Sequence, residues 1–160
     1  MQKFSERINQ LLKWVEIDAT TGQVLGTFGG DAPEAFTPDS GHFTYQHDPN
    51  WTEDGTILLV STFPREDNGR DETIAIEYEI VPGSNTLNEV WSYGRDKGLH
   101  APYHGAARAL PNGNRLVNFG AAGVIHEATE DGQTAWAVSS TPAVALGSSL
   151  MVDSLYDLTE

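Results

Sequence analysis

Residues 100–136 read HAPYHGAARALPNGNRLVNFGAAGVIHEATEDGQTAW, and this stretch decides the fold class. Short apolar runs alternate here with Asn112-Gly113 and Asp131-Gly132, dipeptides that tolerate positive φ and favour tight hairpin turns. A third turn is made of small residues around Gly120. The pattern predicts four short antiparallel strands in about forty residues, which is the size of one β-propeller blade.

Earlier parts of the chain repeat this unit less regularly. A histidine, a glycine that precedes an apolar strand, a glutamate and a tryptophan recur in this order, as His47, Gly55, Glu77 and Trp91 and again as His104, Gly113, Glu127 and Trp136. Glu16 with Gly22 and Gln23 repeats the Glu127, Gly132 and Gln133 arrangement, with one extra turn residue. Because one such sheet cannot bury both of its faces, we expect the units to stack against one another.

The repeats predict one all-β domain over residues 1–160, a partial β-propeller of about three units with antiparallel four-stranded blades. We expect a partial blade over 1–30, a blade over 42–94, a blade over 100–141, and a closing strand with a tail over 142–160. Residues 31–41 are a loop by composition. Near the N-terminus, helical spacing from Ile8 to Val15 competes with a strand over 12–18, and the following hairpin pattern favours the strand.

Length, charge and composition exclude several classes of protein. The chain has 160 residues, 39% of them hydrophobic, enough for one domain and too few for two comfortable ones. It shows no apolar run long enough to cross a bilayer and no signal-peptide layout. A formal charge of −14 argues against nucleic acid and anionic membrane as partners. Without cysteine, disulfides and thiolate metal sites are excluded, and the histidine spacings match no tight metal motif, so we predict no metal or cofactor.

Five motifs occur in a fixed order along the chain: FTYQHD at 43–48, DNGR at 67–70, EVWSYG at 89–94, LPNGN at 110–114 and GVIHE at 123–127. In order and spacing they resemble the bacterial arylsulfate sulfotransferases, a family of six-bladed propellers. The resemblance covers the C-terminal half of that propeller, so it implies half of a six-bladed ring. It also implies a periplasmic or extracellular location.

The resemblance implies transfer of a sulfuryl group from a phenolic sulfate ester to a phenolic acceptor through a sulfohistidine, without a nucleotide donor. A neutral imidazole is a good nucleophile near neutral pH. Charge that develops on the sulfuryl oxygens and on the departing phenoxide requires cationic or hydrogen-bonding partners.

By position, His126 matches the nucleophile of the family and His47 a charge-stabilising histidine. The partner arginine is Arg65 or Arg70: Arg65 fits better by distance from His47, and Arg70 by its Asp-Asn-Gly context. His104 occupies the repeat position of His47, where it either binds substrate in the same channel or only begins a strand.

Simpler interpretations compete with each assignment. His126 alternates with Val124 and Ala128 and could be a half-buried structural histidine, and the two arginines lie in a mixed-charge loop that solvent would screen. Trp91 and Trp136 are expected to pack between units. As a whole, the chain could be a non-catalytic propeller scaffold that binds a partner or ligand. Half a ring leaves open sheet faces, so we expect either a homodimer or a separate N-terminal half.

Overall fold

The computed structural model describes residues 13–39, 43–63, 71–95, 97–142, 144–147 and 149. Within these ranges regular structure consists of β-strands and one 3-10 turn at Gly120–Ala122, so the predicted all-β class is confirmed. None of the described helical structure is long and apolar enough to cross a membrane. The competing N-terminal helix falls largely outside the described residues. So does most of the closing strand and tail expected over 142–160, of which residues 142, 144–147 and 149 are described and form no strand.

The described strands form three sheets. They are β1 Lys13–Ile17, β2 Val24–Gly29, β3 Thr37–Pro38, β4 His47–Trp51, β5 Ile57–Phe63, β6 Glu72–Ile80, β7 Thr86–Tyr93, β8 Ala106–Ala109, β9 Arg115–Asn118, β10 Val124–Ala128 and β11 Thr134–Ser139. Strands β1 and β2 form an antiparallel hairpin. The middle sheet has the order β3-β7-β6-β5-β4, and the last sheet has the order β11-β10-β9-β8. Apart from the β3–β7 pair, all neighbours are antiparallel.

The predicted hairpin turns are present, and their chemistry explains them. Gly113 and Gly132 adopt φ of 84° and 74°, a region that glycine enters without steric cost. In the first hairpin the Asp18 carboxylate accepts hydrogen bonds from the backbone N–H groups of Thr20 and Thr21, both at 2.8 Å. These bonds lower the pKa of Asp18, that to Thr21 most strongly.

The middle sheet forms the centre of the core because both of its faces are covered. Residues 57–60 are all fully buried. Ile57 and Leu59 pack in a cluster with Phe28 of the hairpin, whereas Leu58 and Val60 pack with Val117 and other residues of the last sheet. A strand buried on both faces is a continuous apolar run rather than an alternating one, and burial of each such side chain stabilises the fold by about 1.5–3 kcal/mol.

Two expectations differ from the structure. Residues 31–41 are not entirely loop, because Thr37 and Pro38 pair in parallel with β7 at the edge of the middle sheet. Proline has no N–H to donate and is tolerated at such an edge. Trp91 packs between two sheets as expected, but Trp136 is 45% exposed, because no described part of the chain covers it.

Candidate functional site

Two of the three histidines singled out from the sequence, His47 and His104, line one cavity. His47 begins β4, and His104 lies two residues before β8, so the repeat places them at corresponding ends of neighbouring sheets. The cavity has a volume of about 470 Å³ and is lined by both histidines with Asp48, Gly105 and Gly147. The prediction that His104 faces the same space as His47 is therefore consistent with the geometry.

The backbone around this cavity adopts conformations that are unfavourable for residues other than glycine. Tyr45, Asp48 and His104 have φ of 48°, 51° and 60°, and they are the only non-glycine residues of the described chain with positive φ. Each such conformation costs about 1–2 kcal/mol for an L-residue. Strain of this kind persists where the surroundings impose it, and it concentrates at functional sites.

Two glycines and one ion pair hold this geometry in place. A Cβ at Gly120 would lie 2.6 Å from the carbonyl carbon of His104, and one at Gly105 would lie 3.0 Å from Cγ1 of Val60. Only glycine therefore allows the chain to approach so closely. Arg108 forms an ion pair with the Asp48 carboxylate at 2.6 Å, which anchors the residue that follows His47.

Burial and the neighbouring imidazole keep His47 neutral. Desolvation is the larger cause of its lowered pKa, and a positive charge on His104 adds to it, while Asp48 opposes both. A lowered pKa leaves the unprotonated, nucleophilic imidazole as the dominant form at neutral pH.

His47 also lines a second cavity of about 300 Å³. Its other walls are aromatic, aliphatic and cationic and come from Lys13, Trp14, Tyr45, Gln46, Pro49 and Pro102. His47 thus lines both a space with an aromatic wall and a space with a second imidazole. A third cavity, of about 370 Å³, contains Arg108 and Arg115 beside several carboxylates, and both arginines are engaged in ion pairs.

His126 lies in a different environment, on the face of β10 that packs toward the middle sheet. Its Nδ1 is 2.8 Å from the Tyr93 hydroxyl, which is 2.5 Å from Oγ1 of Thr134. Its ring meets Phe119 and Tyr93 edge to face, and burial, with a smaller effect of Lys97, lowers its pKa. His126 does not line either cavity that His47 lines. Its Nε2 has no partner among the described residues, and the role of nucleophile stays a prediction.

Arg65 and Arg70 lie outside the described residues, as does His42. His100 is half-buried, with Nδ1 2.9 Å from the Asp71 carbonyl oxygen. No group of three or more potential metal ligands occurs in the described ranges.

Sequence reasoning missed the residues that shape the site rather than react in it. Trp14, Tyr45 and Asp48 line its cavities, Gly120 leaves room for His104, and Gly105 leaves room for Val60. The FTYQHD motif contained two of them, but no residue pattern signals a left-handed tyrosine or aspartate. The repeated histidine was the one signal that identified the region.

Fold and site together define a class: an all-β protein of stacked antiparallel sheets with a two-histidine cavity between neighbouring sheets. Residues 8–141 match the family model described as arylsulfotransferase (ASST). The chain belongs to this family, as its motifs had indicated. No curated protein matches the chain.

Proposed function

We propose that the chain is an arylsulfate sulfotransferase, or a part of one, and that its sulfuryl-transfer site is the cavity between His47 and His104. The observation that carries the proposal is that two imidazoles line one cavity, His104 on left-handed backbone and His47 between the left-handed residues Tyr45 and Asp48, in a chain of the arylsulfotransferase family. We also infer that the three sheets are successive blades of a β-propeller and that the chain supplies about half of a six-bladed ring. The His47–His104 cavity would then face the central channel.

In the proposed reaction, Nε2 of neutral His47 attacks the sulfur of an aryl sulfate. The N–S bond forms as the S–O bond to the aryl oxygen breaks, and the phenoxide leaves with a proton from the imidazolium of His104, which becomes neutral. A phenol then attacks the sulfur of the sulfohistidine, its proton passes to His104, and the N–S bond breaks. Each half-reaction moves one sulfuryl group and one proton, so no cofactor is required.

The second cavity suits the aryl group of the donor and acceptor. Trp14 and Tyr45 offer aromatic surface in this cavity, which His47 also lines. An aromatic ring bound there would bring its ester oxygen next to the imidazole. Lys13, at the same cavity, would favour the anionic donor over the neutral phenol.

Incubation with a chromogenic aryl sulfate, with and without phenol, tests the proposal. Cleavage after Lys and Arg separates the candidate histidines, since His47, His104 and His126 fall on the peptides 14–65, 98–108 and 116–160. After an alkaline quench, mass spectrometry should find the added sulfuryl group on the first peptide. Sulfation of the third peptide instead would return the nucleophile to His126, as the resemblance implies.

Variants define the roles further. His47→Asn should abolish phenol release, and His104→Asn should slow it by about 10²–10⁴-fold, the usual contribution of a general acid or base. His100→Asn, at a half-buried histidine that lines neither cavity, is the matched control and should keep full activity. If neither phenol release nor a sulfated peptide appears, even in the assembled protein, the enzyme proposal fails and a binding scaffold is the better reading.

A further inference from the structure

The contact between the middle and last sheets follows a definite pattern. Glu77 of the middle sheet accepts a hydrogen bond from Thr56 and pairs with Arg115 of the last sheet at 2.7 Å. Trp91, directly opposite Glu77 on β7, donates its indole N–H to the Thr129 carbonyl at 3.2 Å. The face of the middle sheet that carries Glu77 and Trp91, its back face, therefore packs on the opposing front face of the last sheet.

Further along the same contact, the hydroxyl of Tyr93 on the back face meets His126 and Thr134 on the front face. Two residues along β7 separate Tyr93 from Trp91. The contact is polar at this point, with one hydroxyl between an imidazole and a threonine.

The last sheet carries the same back face with nothing described against it. Glu127 pairs in register with Trp136, as Glu77 does with Trp91, and Asn114 takes the place of Thr56 as donor to the carboxylate. The Trp136 indole, without a carbonyl across an interface, donates to its own Glu127. Val138 takes the place of Tyr93, and Trp136 and Val138 are 45% and 51% exposed.

The first hairpin carries the corresponding front face, and no described residue of another sheet packs against it. Glu16 and Glu127 occupy equivalent positions, because in both hairpins a register shift follows the glutamate. By this register Val15 corresponds to His126 and Val24 to Thr134, and both valines are exposed. Trp14 and Glu16, on the other face of β1, face the middle sheet: Trp14 stacks on Phe28, and Glu16 accepts a hydrogen bond from Trp51.

We propose that the back face of the last sheet, defined by Glu127, Trp136 and Val138, binds the front face of the hairpin, defined by Val15, Ile17 and Val24, of a second copy of this chain. The two open faces are complementary in chemistry. In the internal contact, the Tyr93 hydroxyl lies between His126 and Thr134. In the proposed contact, Val138 takes the place of Tyr93 and would lie against Val15 and Val24. Asp18 is the residue of the hairpin that corresponds to Thr129, so its backbone carbonyl would accept the hydrogen bond from the Trp136 indole N–H.

This contact is head to tail, so the two faces belong to different ends of the chain. An exposed edge sheet with large apolar side chains is otherwise an aggregation hazard, which burial against a second copy removes. The proposal does not depend on catalysis, and its test uses no activity.

Sedimentation of the whole chain over a range of concentrations measures the association. Val138→Asp and Val15→Asp should each weaken it by about thirty-fold or more, as expected when a charge replaces an apolar side chain at an interface centre. Val90→Asp is the matched control, since Val90 is exposed to a similar degree, 46%, on a different sheet. It should leave association unchanged.

Mixing the two weakened variants tests the geometry. In a head-to-tail contact, the intact front face of Val138→Asp can bind the intact back face of Val15→Asp, so the mixture should recover one full-strength contact. A chain that is monomeric at its highest soluble concentration would overturn the proposal. Association that neither variant weakens, or that mixing does not recover, would overturn it as well, the latter by indicating that like faces pair.

Discussion

Loss of Arg115 should destabilise the protein more than loss of any exposed charge, because Arg115 neutralises a buried carboxylate. The Glu77 side chain is only 4% exposed and the Arg115 side chain 14%. The guanidinium donates to Oε2 of Glu77 from both Nε and Nη2, at 2.9 and 2.7 Å, and lies 5.1 Å from the centre of the Trp91 ring. It thus joins the last sheet to the middle sheet through one charge pair and one aromatic face.

The magnitude follows from what Arg115→Met leaves behind. The aliphatic chain keeps most of the packing on Trp91, but Glu77 then stays buried without its cation. Breaking a buried pair in this way costs about 3–5 kcal/mol, whereas replacing both partners with apolar residues is close to neutral or stabilising. For a chain of this length 1 kcal/mol corresponds to about 2–4 °C in Tm, so Arg115→Met should lower Tm by roughly 10 °C.

Urea and thermal denaturation of Arg115→Met, Glu77→Leu and the double variant measure this energy as a cycle. The double variant should recover most of the stability that Arg115→Met loses. Arg95→Met is the control, because its ion pair with Glu89 is half exposed and should contribute less than about 1 kcal/mol. An Arg115→Met protein as stable as the wild type would refute the reasoning.

Three further predictions concern stability. Burial lowers the pKa of His47 and of His126, so their contribution to the free energy of unfolding is complete above about pH 6.5 and is lost as the pH falls through the lowered values. The urea midpoint should therefore drop between about pH 7.5 and 5, and a flat profile would contradict this. Gly94→Ala should cost several kcal/mol more than Gly83→Ala, since both have positive φ but only at Gly94 would a Cβ meet a backbone oxygen, that of Thr73, at 2.8 Å; equal denaturation midpoints would contradict it. Tyr93→Phe should cost about 1–2 kcal/mol through the lost bridge between His126 and Thr134, while Tyr103→Phe, at an exposed tyrosine, should cost nothing measurable; equal stability of the two variants would count against the bridge.

The fold class and the hairpins could be predicted because their causes are local. Asn112-Gly113 and Asp131-Gly132 fix turn geometry within a few residues, and the strands between them need only the right alternation. The pairing of Thr37 and Pro38 with β7 has no local cause, because it depends on Asn85 and Leu87 accepting backbone hydrogen bonds from a distant part of the chain. A proline-rich segment therefore reads as loop until the sheet beside it is known.

The two repeat tryptophans, Trp91 and Trp136, show that the repeat predicts strand position but not burial. Equal sequence positions gave equal strand positions, with Trp91 opposite Glu77 and Trp136 opposite Glu127. Burial differed, because it depends on the next sheet rather than on the repeat. The sequence could predict where each indole is attached but not whether anything covers it.

The three candidate histidines differ in their surroundings: ordinary core packing explains those of His126 but not those of His47 and His104. His126 occupies regular strand geometry and meets aromatic rings and a tyrosine hydroxyl, partners that ordinary core packing supplies. His104 instead stands on left-handed backbone that costs about 1–2 kcal/mol and that Gly120 must accommodate by having no side chain. The same cost recurs at Tyr45 and Asp48, on either side of His47. Packing alone does not explain this conformational cost, because a glycine at each of these positions would avoid it. Strain around two imidazoles at one cavity is better explained by a requirement on where those imidazoles lie. The proposed reaction, in which one imidazole takes the sulfuryl group and the other moves the proton, would impose such a requirement.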